Sequence, residues 1–203
     1  MLLEVGSLGD FLRRIAFDYA RYGYTRYALR QIPANKDFQA IDLKLHRVYG
    51  VTSCRTRRSR QRRRGLACVE YLRFQEWFIL LATPGHHEAF SKIRSFDLRQ
   101  SPLHFRGYSV GFVGERVSIR VARSVWRRVQ RKVYQGALQD GAEVEKWLAS
   151  LPFYRFPDVV TQLESLTLAI NLRRKRAGLS RVTPRFQGGD ASLYRSSQSQ
   201  FSL

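Results

Sequence analysis

Cysteine is almost missing from this chain: Cys54 and Cys68 are its only two in 203 residues. Two thiols cannot build a disulfide framework, and that usage suits a reducing compartment. An intracellular, cytoplasmic protein is therefore expected, with a nucleoid or nucleus left open. Long apolar runs are missing too, since no stretch approaches the roughly 20 residues that span a bilayer. The first residues carry no secretory pattern, because Met1–Val5 is followed by Gly6, Ser7 and Asp10 rather than by a long apolar region.

Several catalytic signatures are also lacking. The histidines are His46, His86, His87 and His104, and no two of them flank a single residue. Adjacent His86 and His87 point to opposite faces of a strand, or about 100° apart on a helix. Metal chemistry of the His-X-His nuclease type is thereby disfavoured. Cys54, Cys68 and a histidine stand at spacings unlike a zinc site. The acids are scattered, and the one local group, Asp140, Glu143 and Glu145, reads as the charged start of a short helix. Neither a Gly-rich phosphate loop nor a nucleophile elbow occurs. No metal, no cofactor and no catalytic residue is assigned.

What the chain does have is arginine. Acids number 16 against 36 Lys and Arg, of which 30 are Arg, for a net charge of +20. Three windows hold the whole excess: residues 52–73, 116–132 and 173–185. The remainder is electrically neutral and, at 44% hydrophobic overall, apolar enough to fold. Concentrated charge of one sign on a neutral globular chain points to a polyanion. Arginine's planar fork pairs with phosphate in bidentate fashion and stacks on bases.

Periodicity gives the layout. Ser7 caps a helix whose Leu8, Phe11, Leu12, Ile15 and Tyr19 form one stripe, ending at Gly23. A strand over Tyr24–Ile32 and a helix from Asp37 to Gly50 follow. Leu66–Phe74 and Trp77–Thr83 read as a hairpin, then a short helix around Glu88–Arg94, then strands His104–Val113 and Arg116–Val121. Gly107, Gly111 and Gly114 read as hairpin devices. Helices are expected at Ser124–Leu138, Ala142–Ser150 and Asp158–Ala177, the last ended by Gly178. The fold class expected is α+β, a ferredoxin-like split β-α-β antiparallel sheet with a helix before it and helices after it. That layout resembles RNA-recognition modules and the cores of several CRISPR-processing and replication-initiator endonucleases. The expected division is a helix over 1–23, an α+β core over 24–121 with an Arg-rich insertion at 52–65, a helical part over 122–179 and a mobile tail over 180–203.

The three charge islands differ in kind. Arg55, Arg57, Arg58, Arg60, Arg62, Arg63 and Arg64 crowd ten positions with no apolar stripe to pack on a core. This segment resembles the arginine-rich RNA-binding motifs of lentiviral regulatory proteins and phage antiterminators. The resemblance covers ten of the 203 residues and implies folding on contact with RNA or a phosphate backbone. The second island has a definite face. Val125, Trp126, Val129 and Val133 fall within about 100° of arc, leaving Arg123, Arg127, Arg128, Arg131 and Lys132 on the opposite half. The third, Arg173, Arg174, Lys175 and Arg176, sits in the last turn of a helix, where cations complement the macrodipole. All sixteen are taken as nucleic-acid contacts.

The expected function is nucleic-acid binding without catalysis, with RNA favoured slightly over DNA. A place as an accessory subunit of a ribonucleoprotein or mobile-element complex, beside other proteins, suits such a chain. Two alternatives are a metal-independent endoribonuclease using His86, His87 or His104, and a DNA-binding replication or transposition factor. Attachment to a membrane through residues 7–22 is disfavoured by Asp10 and Asp18.

Overall fold

The computed structural model describes residues 6–22, 26–31, 69–82 and 95–186. The helices expected at 37–50 and 88–94, the Arg55–Arg64 segment, both cysteines and His46, His86 and His87 lie outside the described residues, as do residues 187–203. The protein is α+β with antiparallel sheets. It divides into two compact units, residues 1–103 with 110–118, and residues 104–109 with 119–203.

The first unit begins with helix α1, Leu8–Tyr22. Its start is fixed by Ser7, whose hydroxyl accepts the Asp10 N–H at 3.0 Å and donates to the Asp10 carboxylate at 2.6 Å. Phe11, Leu12, Ile15 and Ala16 form its buried stripe. Phe11 meets Phe74 with ring centroids 5.7 Å apart, which seats α1 on strand β2.

Four strands make the sheet of this unit: β1 (Arg26–Gln31), β2 (Val69–Phe74), β3 (Trp77–Ala82) and β4 (Phe96–Asp97). Their order is β2-β3-β1-β4, and every pairing is antiparallel. Ala28 stands opposite Leu80, and Leu72 opposite Ile79. Gln75, at φ 53°, turns β2 into β3. Phe78 to Ala82 are all buried, so both faces of β3 are covered, as its unbroken apolar run requires. Tyr27 donates its hydroxyl to the Ser101 carbonyl at 3.0 Å.

The expected strand His104–Val113 is corrected here. Arg106 and Gly107 have φ of 47° and 84°, the two-residue turn geometry that matches strand twist. The run therefore splits into β5 (Leu103–Phe105) and β6 (Tyr108–Val113). With β7 (Arg116–Val121) these form a separate three-stranded sheet in the order β5-β6-β7. The fourth strand of the larger sheet is instead the two-residue β4. Gly114 closes the second turn at φ 60°. Gly111 lies where an added Cβ would come within 3.1 Å of Pro102.

Among its described residues the second unit carries three helices, α2 (Arg123–Gly136), α3 (Gly141–Ala149) and α4 (Pro157–Arg176). Asp140 caps α3 by accepting the N–H groups of Ala142 and Glu143 at 3.1 and 3.3 Å. Pro157 occupies the first turn of α4, where its missing N–H costs nothing. Val159, Leu163, Leu166 and Ile170 are the buried stripe of α4. Gln162 ties that helix to β7 by accepting the Val121 N–H at 2.9 Å. Tyr108 packs against Phe153, Tyr154 and Phe156, with centroids 6.0 to 6.4 Å away, and accepts the Tyr154 N–H at 2.9 Å.

The tail expected from residue 180 is held at its start. Val182 is 1% exposed, and its N–H and carbonyl both bond the Asn171 amide, at 2.8 and 2.9 Å. A side chain that pairs twice with one residue acts as a short substitute strand, and the apolar burial of Val182 adds to it. No helix among the described residues is long and apolar enough to cross a membrane.

Candidate nucleic-acid interface

Helix α2 is built for its outer face at the expense of its own stability. Val133 is buried at its back, while Val125, Trp126 and Val129 are half-buried. Arg123, Arg127, Arg128, Arg131 and Lys132 are all exposed. The helix starts at Ala122 with no side-chain cap, and no acid stands in its first turn. Arg123 instead places a cation there, against the sign that the helix dipole favours. No acid among the described residues pairs with any of the five cations. Stacked like charges at i,i+4 repel by a few tenths of a kcal/mol per pair. Capping, dipole and pairing rules are thus all broken on this one helix.

The C-terminal island separates into two roles. The end of α4 is a Schellman motif: the Leu179 N–H reaches the Arg174 carbonyl at 2.9 Å, the Gly178 N–H reaches Lys175 at 3.1 Å, and Gly178 has φ 71°. Arg174 is 2% exposed. Its Nε donates to the Ser180 carbonyl at 2.7 Å, and its Nη1 to Ala137 at 3.0 Å and Gln139 at 2.7 Å. This removes Arg174 from the expected contact set, because three main-chain carbonyls already occupy its guanidinium. Arg173 is exposed yet donates to the Tyr134 carbonyl at 2.6 Å, binding α4 to the end of α2. Lys175 and Arg176 are exposed.

Beside the ridge lies a feature that the sequence reading passed over. A cavity of about 250 Å³ opens between Trp126, Gln130 and Tyr134 of α2 and Thr161, Gln162 and Ser165 of α4. Arg120, exposed on β7, and Asp158 also border it, and buried Leu166 lies beneath. The signal was available: Trp126, Gln130 and Tyr134 recur every four residues, between the valine stripe and the cations.

His104 is exposed on β5. Among the described residues, no three His, Cys, Asp or Glu side chains stand close enough to hold a metal ion. Tyr108 and Tyr27, at 4% and 5% exposure, serve packing. No family model, curated protein or solved structure matches this chain.

Proposed function

We propose that this protein binds nucleic acid without acting on it, docking α2 against the phosphate backbone, with RNA favoured over DNA. The observation that carries this reading is the ridge of five exposed, unpaired cations on a helix with an apolar back. Phosphates would relieve its self-repulsion and release their own counterions, a gain largely independent of sequence. Lys175 and Arg176 add to the ridge, and Arg55 to Arg64 would order on the same polyanion. Work as an accessory subunit of a cytoplasmic ribonucleoprotein or mobile-element complex fits a chain of this charge.

The strand order β2-β3-β1-β4 supports a completed ferredoxin-like sheet. The split β-α-β unit is proposed with the helices expected from the sequence at 37–50 and 88–94 as its crossovers, residues that lie outside the described ones.

Competition at matched salt tests the reading. A structured RNA hairpin and a DNA duplex with equal numbers of phosphates are offered to the full chain. The expected result is displacement of labelled RNA by RNA at lower concentration than by DNA. Exchanging the five ridge cations for Gln is expected to weaken both by at least about tenfold. Unchanged affinity in that variant would overturn the proposal.

A further inference from the structure

We infer that the cavity between α2 and α4 is a slot for one unpaired nucleobase. The inference rests on the nucleic-acid reading above and gives it a second, base-directed contact.

Size comes first. An apolar cavity of about 150 Å³ holds benzene, so about 250 Å³ admits a one- or two-ring heterocycle. The walls then decide which kind. Trp126 offers a half-buried flat indole, and Tyr134 a second ring at 36% exposure. Bases stack on such rings whatever their identity.

The polar groups are already oriented. The Thr161 hydroxyl donates to the Pro157 carbonyl at 3.1 Å, and the Ser165 hydroxyl to the Thr161 carbonyl at 2.8 Å. Both oxygens keep lone pairs that can accept. Gln162 accepts the Val121 N–H through Oε1 at 2.9 Å, which leaves its NH2 group as a donor. Gln130 can do either. A ring edge that mixes donors with acceptors is the chemistry of a nucleobase and can use the remaining capacity of these groups, whereas an aliphatic side chain cannot.

Position supplies the last argument. Around α2, Gln130 and Tyr134 fall within about 60° of Arg127, and Arg123 projects between them. A strand whose phosphates run along Arg123, Arg127 and Arg131 would therefore pass the mouth of the slot. A base held inside a duplex could not enter it, so the occupant is single-stranded or flipped out.

The test compares two strands on the full chain: a 12-nucleotide oligoadenylate and an abasic 12-mer with the same backbone. The wild type is expected to bind the base-bearing strand about tenfold more tightly, since one stacked base is worth that much or more. Trp126→Leu should remove most of that preference and leave affinity for the abasic strand unchanged. Gln130→Leu, at a half-buried position outside the core, should reduce the preference severalfold with no change in melting temperature, so it decides the matter if Trp126→Leu fails to fold. Equal binding of both strands by the wild type, or an undiminished preference in Gln130→Leu and in folded Trp126→Leu, overturns the slot while leaving phosphate docking intact. Failure to bind either strand at low salt overturns both.

Discussion

Arg174 donates its Nη1 hydrogen to the carbonyl of Ala137 across 3.0 Å, and both residues are buried, at 2% and 0% exposure. The same nitrogen reaches the Gln139 carbonyl and Nε reaches Ser180. One guanidinium thus joins the end of α4, the turn after α2 and the chain beyond the helix. It looks like its basic neighbours in sequence and does the opposite work.

Arg174→Met should therefore lower unfolding free energy by about 3 kcal/mol, because buried carbonyls lose their donor. Arg176→Met, at an exposed position, should stay within about 0.5 kcal/mol of the wild type. Urea denaturation of the two variants measures the contrast. Equal midpoints would show that Arg174 is not structural.

Two tyrosines set an alkaline limit. Burial raises the pKa of Tyr27 and Tyr108 above the usual value, and at Tyr108 it outweighs the hydrogen bond that the hydroxyl accepts from the Tyr154 N–H. With the folded pKa above the unfolded value of about 10, their contribution is fully present below pH ~10. It is lost as pH rises through the folded values. Absorbance titration of tyrosinate should show a late fraction among the ten tyrosines, diminished in Tyr108→Phe. A single wave unaltered by that substitution would contradict the burial argument.

Legibility in the sequence followed from periodicity. The α2 ridge was readable because its apolar back fixes where the cations project. Strand β7 was readable with its full extent, bounded by Gly114 and by the charged start of α2. Strand β4 was not, since two residues carry no alternation. The β5–β6 turn was half legible: Gly107 reads as a hairpin device, but Arg106, at φ 47°, carries no turn chemistry, so His104–Val113 reads as one strand. Arg174 was misassigned, yet the pattern Val159, Leu163, Leu166, Ile170 places 174 next on the buried stripe. The cavity needs two helices to meet, and the stripe on α2 supplies only Trp126, Gln130 and Tyr134 of its lining.

Salt dependence tests the central claim most directly. Affinity of the wild type and of the Arg123, Arg127, Arg128, Arg131 and Lys132 to Gln variant is measured for one single-stranded RNA over a range of salt. Each cation that neutralises a phosphate contributes about 0.7 to the slope of log K against log salt. Docking by α2 predicts a steep wild-type slope that flattens by roughly 2 to 3.5 in the variant, with a melting temperature no lower than that of the wild type. Identical slopes for the two proteins would contradict it.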